Sequence, residues 1–347
     1  MFLKEGLAFD DAMLIPKYST VKSRSMVDLS VDCGKFKLSH PIVPANMHSI
    51  MSKEMATEVA NSGGLTLLHR FMPIENQLNL AKDLVLNYGP EKIGVSVGIK
   101  ENDRENFKRF LDIGINIFCT DIAHGDSQNC YDMISYMKSY FPHITIISGS
   151  IATGDGAIRS WRAGADIIKT NVGAGSICTT RIMTGNGVPQ LTALIDVAHA
   201  KNSMINRQKE SSDPILSRKK YLIMSDGGAT CFGDLTKALC FADIVMTGNL
   251  FAGCKETPGN ILNIDGLQYK EYVGSSTHKS SHIEGVSAVV QVKDNYNLIL
   301  KSMLEAISSG CSYQGAHNLT QLKNDPHFVK ISSAGLRESH HHDVKIL

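Results

Sequence analysis

Eight short apolar runs, rich in β-branched residues and each followed by a helix-compatible stretch, constrain this chain more than any other feature. The runs are PIVPANM (41–47), LTLLHR (65–70), IGVSVGI (93–99), NIFCTDIAHG (116–125), ITIISGSI (144–151), DIIKTNVG (166–173), YLIMSDGG (221–228) and DIVMTGNLF (243–251). Unbroken apolar runs of this length suit parallel strands covered on both faces. Helical patterns fall between them, among them 52–62, 74–87, 102–113 and 191–201. Such alternation implies βαβ units with right-handed crossovers. Eight units predict an α/β fold of the closed (β/α)8 TIM-barrel type, with a doubly wound open sheet as the alternative. No GxGxxG follows the first run, which weighs against a dinucleotide-binding sheet. A length of 347 residues is compatible with one barrel.

Composition excludes several classes. With 43% hydrophobic residues and a net charge of +1, the chain has material for a large core and no basic field for nucleic acid. No apolar run is long enough to span a bilayer. The first residues lack a signal-peptide pattern. Eight cysteines without a CxxC pair read as reduced thiols of a cytoplasmic protein. Three stretches depart from the alternation: 203–220 is charged and reads as an exposed loop, 256–292 reads as a loop region near the site, and a tail follows the last helix, 295–309.

Polar residues and glycines concentrate at the C-terminal ends of the runs, the active face of a barrel. There, SDGG (225–228) and TGNLFAG (247–253) are candidates to cradle a phosphate on backbone N–H groups, with Asp226 accepting from ribose hydroxyls. Taken singly, each glycine is equally an ordinary turn residue. Cys178 lies in NVGAGSICTTRIMTGNGVPQ (171–190), a glycine-cushioned polar stretch with Arg181 three residues on. That setting suits a thiolate nucleophile. The other seven cysteines sit in apolar surroundings and read as core fillers.

GAGSICTTR followed by TGNGVPQ resembles the IMP dehydrogenase/GMP reductase family. So do LAFDDAMLIP, VKSRS, VPANM, LHRF, DIAHG, SDGG, GNLFAG, YKEYVG and IEGV, over nearly the whole chain. The resemblance implies one catalytic barrel over 1–347, a flap near 274–292 and a C-terminal tail, 325–347. It implies that Cys178 attacks C2 of a purine nucleoside monophosphate. One branch then loses hydride to NAD and hydrolyses the adduct to XMP; the other expels ammonia from GMP and takes hydride from NADPH to give IMP.

Three features resemble the reductase branch: no inserted CBS pair between Lys100 and Asn116, no Arg or Tyr in SSTHKSSHI (275–283) to serve as the hydrolytic base, and the TGxGxPQ motif. By resemblance, Thr180 and Glu284 handle the proton of the leaving ammonia. Asp226, Gly227, Gly228, Gly248, Asn249, Gly274 and Ser275 hold GMP. Ser23, Arg24, Arg70, Asp121, Ile122 and Ala123 face the cofactor. Gly173, Gly175, Cys178 and Arg181 hold K⁺, completed by Glu338, Ser339 and His340 of a neighbouring copy in a homotetramer. The run of histidines at 340–342 otherwise reads as solvated.

Three departures stand out: Asn171 where the family carries glycine, a shortened flap with His282-Ile283 before Glu284, and a dehydrogenase-like tail. Two alternatives stay open: a CBS-less IMP dehydrogenase, and a purine-nucleotide-binding protein with weak catalysis.

Overall fold

The eight runs form eight parallel strands in one sheet. In the computed structural model, which describes residues 3–210, 219–274 and 285–344, these are β1 (Ile42–Pro44), β2 (Thr66–Leu68), β3 (Ile93–Val97), β4 (Ile117–Asp121), β5 (Thr145–Ile151), β6 (Ile167–Thr170), β7 (Leu222–Asp226) and β8 (Ile244–Thr247). Their order is β1-β8-β7-β6-β5-β4-β3-β2, with every ladder parallel. First and last strand are neighbours, so the sheet curls into a nearly closed (β/α)8 barrel. Every residue of β3 and β5 is buried, as strands covered on both faces require.

The helices are α1 (Lys53–Asn61), α2 (Ile74–Tyr88), α3 (Glu101–Asp112), α4 (Gln128–Tyr140), α5 (Gly154–Ala163), α6 (Gln190–Glu210), α7 (Phe232–Leu239) and α8 (Tyr296–Tyr313). Local signals set their starts. The Ser52 hydroxyl accepts from Met55 N and opens α1, whose Met55, Ala56, Val59 and Ala60 face the barrel. Thr153 caps α5 in the same way.

The structure corrects several expectations. Residues 203–210 continue α6 rather than leaving it: no Gly or Pro interrupts them, Met204 is buried, and Arg207 and Lys209 sit favourably in the last turn. The 256–292 region contains an antiparallel sheet of β9 (Leu262–Ile264), β10 (Leu267–Val273) and β11 (Ser287–Gln291). Asp265 and Gly266, both at positive φ, form the two-residue turn between β9 and β10. The tail is tied down as well. Phe328–Lys330 pairs antiparallel with Ala12–Leu14, and a short helix, Ser333–Glu338, packs beside Phe9–Asp11.

Candidate active site

A cavity of about 370 Å³ opens at the C-terminal ends of the barrel strands. This volume lies in the range of small-molecule sites. Cys178 and Thr180 line it, together with Asp226, Gly227, Gly228, Gly248, Asn249 and Gly274. Arg70, Asp121, Ile122, Ala123, Gly173 and Gly175 complete the set of sequence-selected residues gathered there.

The loop after β6 is held by its own side chains. Asn171 Oδ1 accepts from Ala174 N at 2.9 Å, so the asparagine side chain braces the loop three residues on, much as a capping residue does at a helix start. Arg181 donates to the carbonyls of Val172 (3.3 Å) and Val188 (2.6 Å), clasping both stems of the loop. A β-carbon on Gly173, at φ +78, would lie 2.5 Å from Arg181 Cγ. Between the stems, Cys178 N donates to Gly175 O at 3.0 Å, and Cys178 Sγ lies 3.2 Å from Thr180 Oγ1. That distance permits proton exchange between thiol and hydroxyl.

Lys169, in β6, forms part of the cavity wall. Its side chain is buried, and Nζ lies 2.7 Å from Asp226 Oδ2, 3.7 Å from Asp121 Oδ1 and 3.4 Å from Ser150 Oγ. Burial alone would depress its pKa, but the carboxylates of Asp226 and Asp121 outweigh it and raise the pKa above the ordinary lysine value. The ammonium therefore joins the carboxylate that ends β7 to the one that ends β4. Gly149 makes room, since a β-carbon there would meet Lys169 Cβ at 2.6 Å.

Opposite the cysteine loop, Gly227 and Gly228 take φ of +77 and +81, which only glycine adopts cheaply. Among the described residues, no intramolecular acceptor is recorded for the backbone N–H groups of Gly228, Gly248 or Asn249. Lys293 Nζ donates to Asn249 O and Leu250 O at 2.8 and 3.2 Å, tying up the carbonyls of this loop. What remains is a set of N–H donors suited to an anion. A β-carbon on Gly248 would stand 2.8 Å from the Tyr272 hydroxyl and 3.2 Å from Met47 Sδ. Gly248→Ala is therefore expected to cost about 1–3 kcal/mol of stability. Thermal unfolding reads that loss.

Residues 6–342 match the model of the IMP dehydrogenase / GMP reductase domain. The chain belongs to the IMP dehydrogenase/GMP reductase family. A GMP reductase of Vibrio atlanticus is 32% identical over 350 aligned positions, covering 94% of both chains. An inosine-5'-monophosphate dehydrogenase of Nitrosopumilus maritimus is 28% identical over 491 positions, covering all of both chains. One from Borreliella burgdorferi is 30% identical over 413 positions, covering 98% of both. Family members are oxidoreductases that act on purine nucleotides with a nicotinamide cofactor.

Some residues selected by family resemblance stand elsewhere. Ser23 and Arg24 lie on the protein surface beside α8, outside the cavity. Glu338, Ser339 and His340 are exposed at the end of the helix that packs beside Phe9–Asp11. Arg181 reaches the loop with its side chain, while its carbonyl accepts from Gly185 N. Ser275 and Glu284 lie outside the described residues. Among the cysteines, Cys231 corrects the expectation of seven core fillers: it is exposed at the start of α7, where the polar capping position belongs at the surface. The other six are buried, and burial pushes the thiols of Cys33, Cys240, Cys254 and Cys311 up to about 12. Only Cys178 combines partial exposure with a place in the cavity.

Sequence reasoning missed Lys169, Tyr272 and Lys293. Lys169 carried a signal: it is the one charged residue inside an otherwise apolar run that becomes β6. Tyr272 lies in YKEYVG, a family-like motif inside the region read as a loop, and Lys293 directly follows that region with no local signal of its contacts. Among the described residues, no helix is long and apolar enough to cross a membrane.

Proposed function

We propose that this chain is a single-barrel GMP reductase. It would convert GMP to IMP and ammonia with NADPH, through a covalent bond between Cys178 and purine C2. The observation that carries the choice of branch is economy of length. The reductase relative aligns over 350 positions, whereas the two dehydrogenases need 491 and 413 against 347 residues here. In keeping with this, β3 passes to α3 through only Gly98, Ile99 and Lys100, where no domain is inserted. The absence of Arg and Tyr from 275–283 supports the same reading, since hydrolysis would want a general base there, worth roughly 10²–10⁴-fold.

In this reading the phosphate of GMP sits on the N–H groups of Gly228, Gly248 and Asn249, and its ribose hydroxyls donate to Asp226. The purine then faces Cys178. The thiolate adds to C2, and the 2-amino group leaves as ammonia after gaining a proton. Thr180 is placed to pass that proton, with Glu284 joining it by family resemblance. NADPH, when bound, supplies one hydride. C2 accepts it, the C–S bond breaks, and Cys178 returns as thiolate. The sum is GMP, NADPH and one proton giving IMP, ammonia and NADP⁺.

The cofactor side fits Arg70, Asp121, Ile122 and Ala123, which share the cavity. Ser23 and Arg24, outside the cavity of their own copy, would act on the 2′-phosphate of a cofactor held by a neighbouring copy, Arg offering a bidentate fork. We further propose a cytoplasmic homotetramer, the assembly in which Glu338, Ser339 and His340 of one copy would complete a K⁺ site on the loop of another. The loop fits a monovalent cation in part. Among the described residues the carbonyls of Gly173 and Cys178 accept no backbone hydrogen bond, while those of Gly175 and Arg181 already do. Bound K⁺ would steady the loop that carries Cys178. Turnover should therefore be faster in K⁺ than in Na⁺ at equal ionic strength; equal rates remove the cation from the account.

A CBS-less IMP dehydrogenase is the second reading, favoured by the dehydrogenase-like tail and the 28–30% identities. Two absorbance traces of the reduced cofactor separate the readings. GMP with NADPH should consume it, and IMP with NAD should not produce it. The reverse pattern transfers the chain to the dehydrogenase branch. Two flat traces with GMP-dependent thermal stabilisation leave a binding protein.

A further inference from the structure

The opposite mouth of the barrel holds a second, larger cavity of about 820 Å³. Leu222, the first residue of β7, and Asp243, immediately before β8, line it. It is therefore separated from Asp226 by the length of β7, about 13 Å. Among the described residues its walls carry Lys201, Lys209, Lys219, Lys220 and Lys323, and two acids, Asp32 and Asp243.

The carboxylates are already committed. Asp243 is buried and paired with Lys201 at 2.7 Å and Lys323 at 2.5 Å, and it accepts from Ile223 N. Asp32 pairs with Lys220 at 2.6 Å. The nearby Asp166 is held by Lys35 at 3.2 Å and Lys138 at 2.7 Å. Lys219 has only a carbonyl, Trp161 O at 2.8 Å, and the face of Tyr221, 5.4 Å to the ring centroid. Burial holds its pKa below the usual lysine value, although the charge of Asp166 acts to raise it. Lys209, on the last turn of α6, is exposed and has no carboxylate within salt-bridge distance among the described residues. Among the described residues, five lysines against two aspartates thus leave a net excess of three positive charges around one concave space. Like charges are not gathered this way without cost, and the chain as a whole is almost neutral.

We propose that this cavity binds a polyphosphate group, with Lys209 and Lys219 as its principal ligands. The inference does not depend on which branch of the family the chain represents. Free triphosphate and a nucleoside triphosphate share the chemistry; the test distinguishes them. Titration calorimetry of the full chain, with saturating GMP present to occupy the first cavity, is run separately with inorganic triphosphate and with ATP.

Binding of triphosphate, weakened by raising salt, is expected. Lys209→Glu should weaken it about tenfold, and Lys209→Glu with Lys219→Ala should weaken it further, while turnover in the absence of triphosphate stays at the parent rate. Binding of both probes identifies the phosphates as the recognised group, and binding of ATP alone adds the nucleoside to it. Heats absent for both probes overturn the proposal. So does competition by GMP, or unchanged affinity in Lys209→Glu, a surface substitution that leaves the contacts of half-buried Lys219 intact should the double variant not fold.

Discussion

Cys178→Ala should reduce turnover by roughly 10⁴–10⁶-fold, the scale seen when a covalent nucleophile is removed. GMP affinity should stay within about threefold, or ~0.7 kcal/mol. Sγ is partly exposed and touches Thr180 Oγ1 at 3.2 Å, so its loss leaves no buried polar group unpaired. The proposed phosphate donors, Gly228, Gly248 and Asn249, and the ribose acceptor Asp226 belong to other loops and are untouched. The loop keeps its shape because Arg181 and Asn171 hold it. A split between kcat and binding follows, since the sulfur acts in the bond-making step and not in recognition. Equilibrium titration of GMP beside steady-state rates reads both quantities. A variant that retains a tenth of the parent rate removes the covalent step.

Lys169→Met should lower both activity and stability, for a different reason. It leaves Asp226 and Asp121 at a buried site without the ammonium between them. Breaking a buried ion pair from one side costs about 3–5 kcal/mol, and a fall in Tm on the order of 5 °C or more should accompany it. With Asp226 no longer held, the ribose acceptor shifts, and kcat/KM should drop about 10²-fold. Lys169→Arg keeps the charge but not the compact geometry, and should restore stability better than rate. Adding Asp226→Asn to Lys169→Met should recover part of the lost stability but none of the activity. If Lys169→Met keeps the parent KM for GMP, Asp226 is not oriented by this lysine.

Both residues show how far the sequence was legible. Cys178 was found because a cysteine among glycines and hydroxyls is out of place in a core. The barrel was found because eight apolar runs repeat with helices between them, a pattern set by burial on both faces. Lys169 was overlooked because its run reads as a buried strand, and nothing local announces that the aspartates ending the next strand, β7, and the strand two before it, β4, will converge on its ammonium. The β9–β11 sheet was overlooked because its Gly and Ser content resembles a loop; its exposed faces lack the apolar alternation that marks a strand, leaving only the Asp265-Gly266 turn as a signal. The surface positions of Ser23, Arg24 and Glu338–His340 were not readable at all, since sequence motifs carry no distance.

Electrospray mass measurement of the intact chain, acid-quenched from a mixture with GMP and NADP⁺, addresses the sulfur–carbon bond itself. NADP⁺ cannot deliver hydride, so the adduct has no route onward to IMP. The expected spectrum contains a species heavier than the free chain by GMP less ammonia, absent from Cys178→Ala. A parent chain that turns GMP over with NADPH yet shows only its unmodified mass, across quench times shorter than one turnover, contradicts the account.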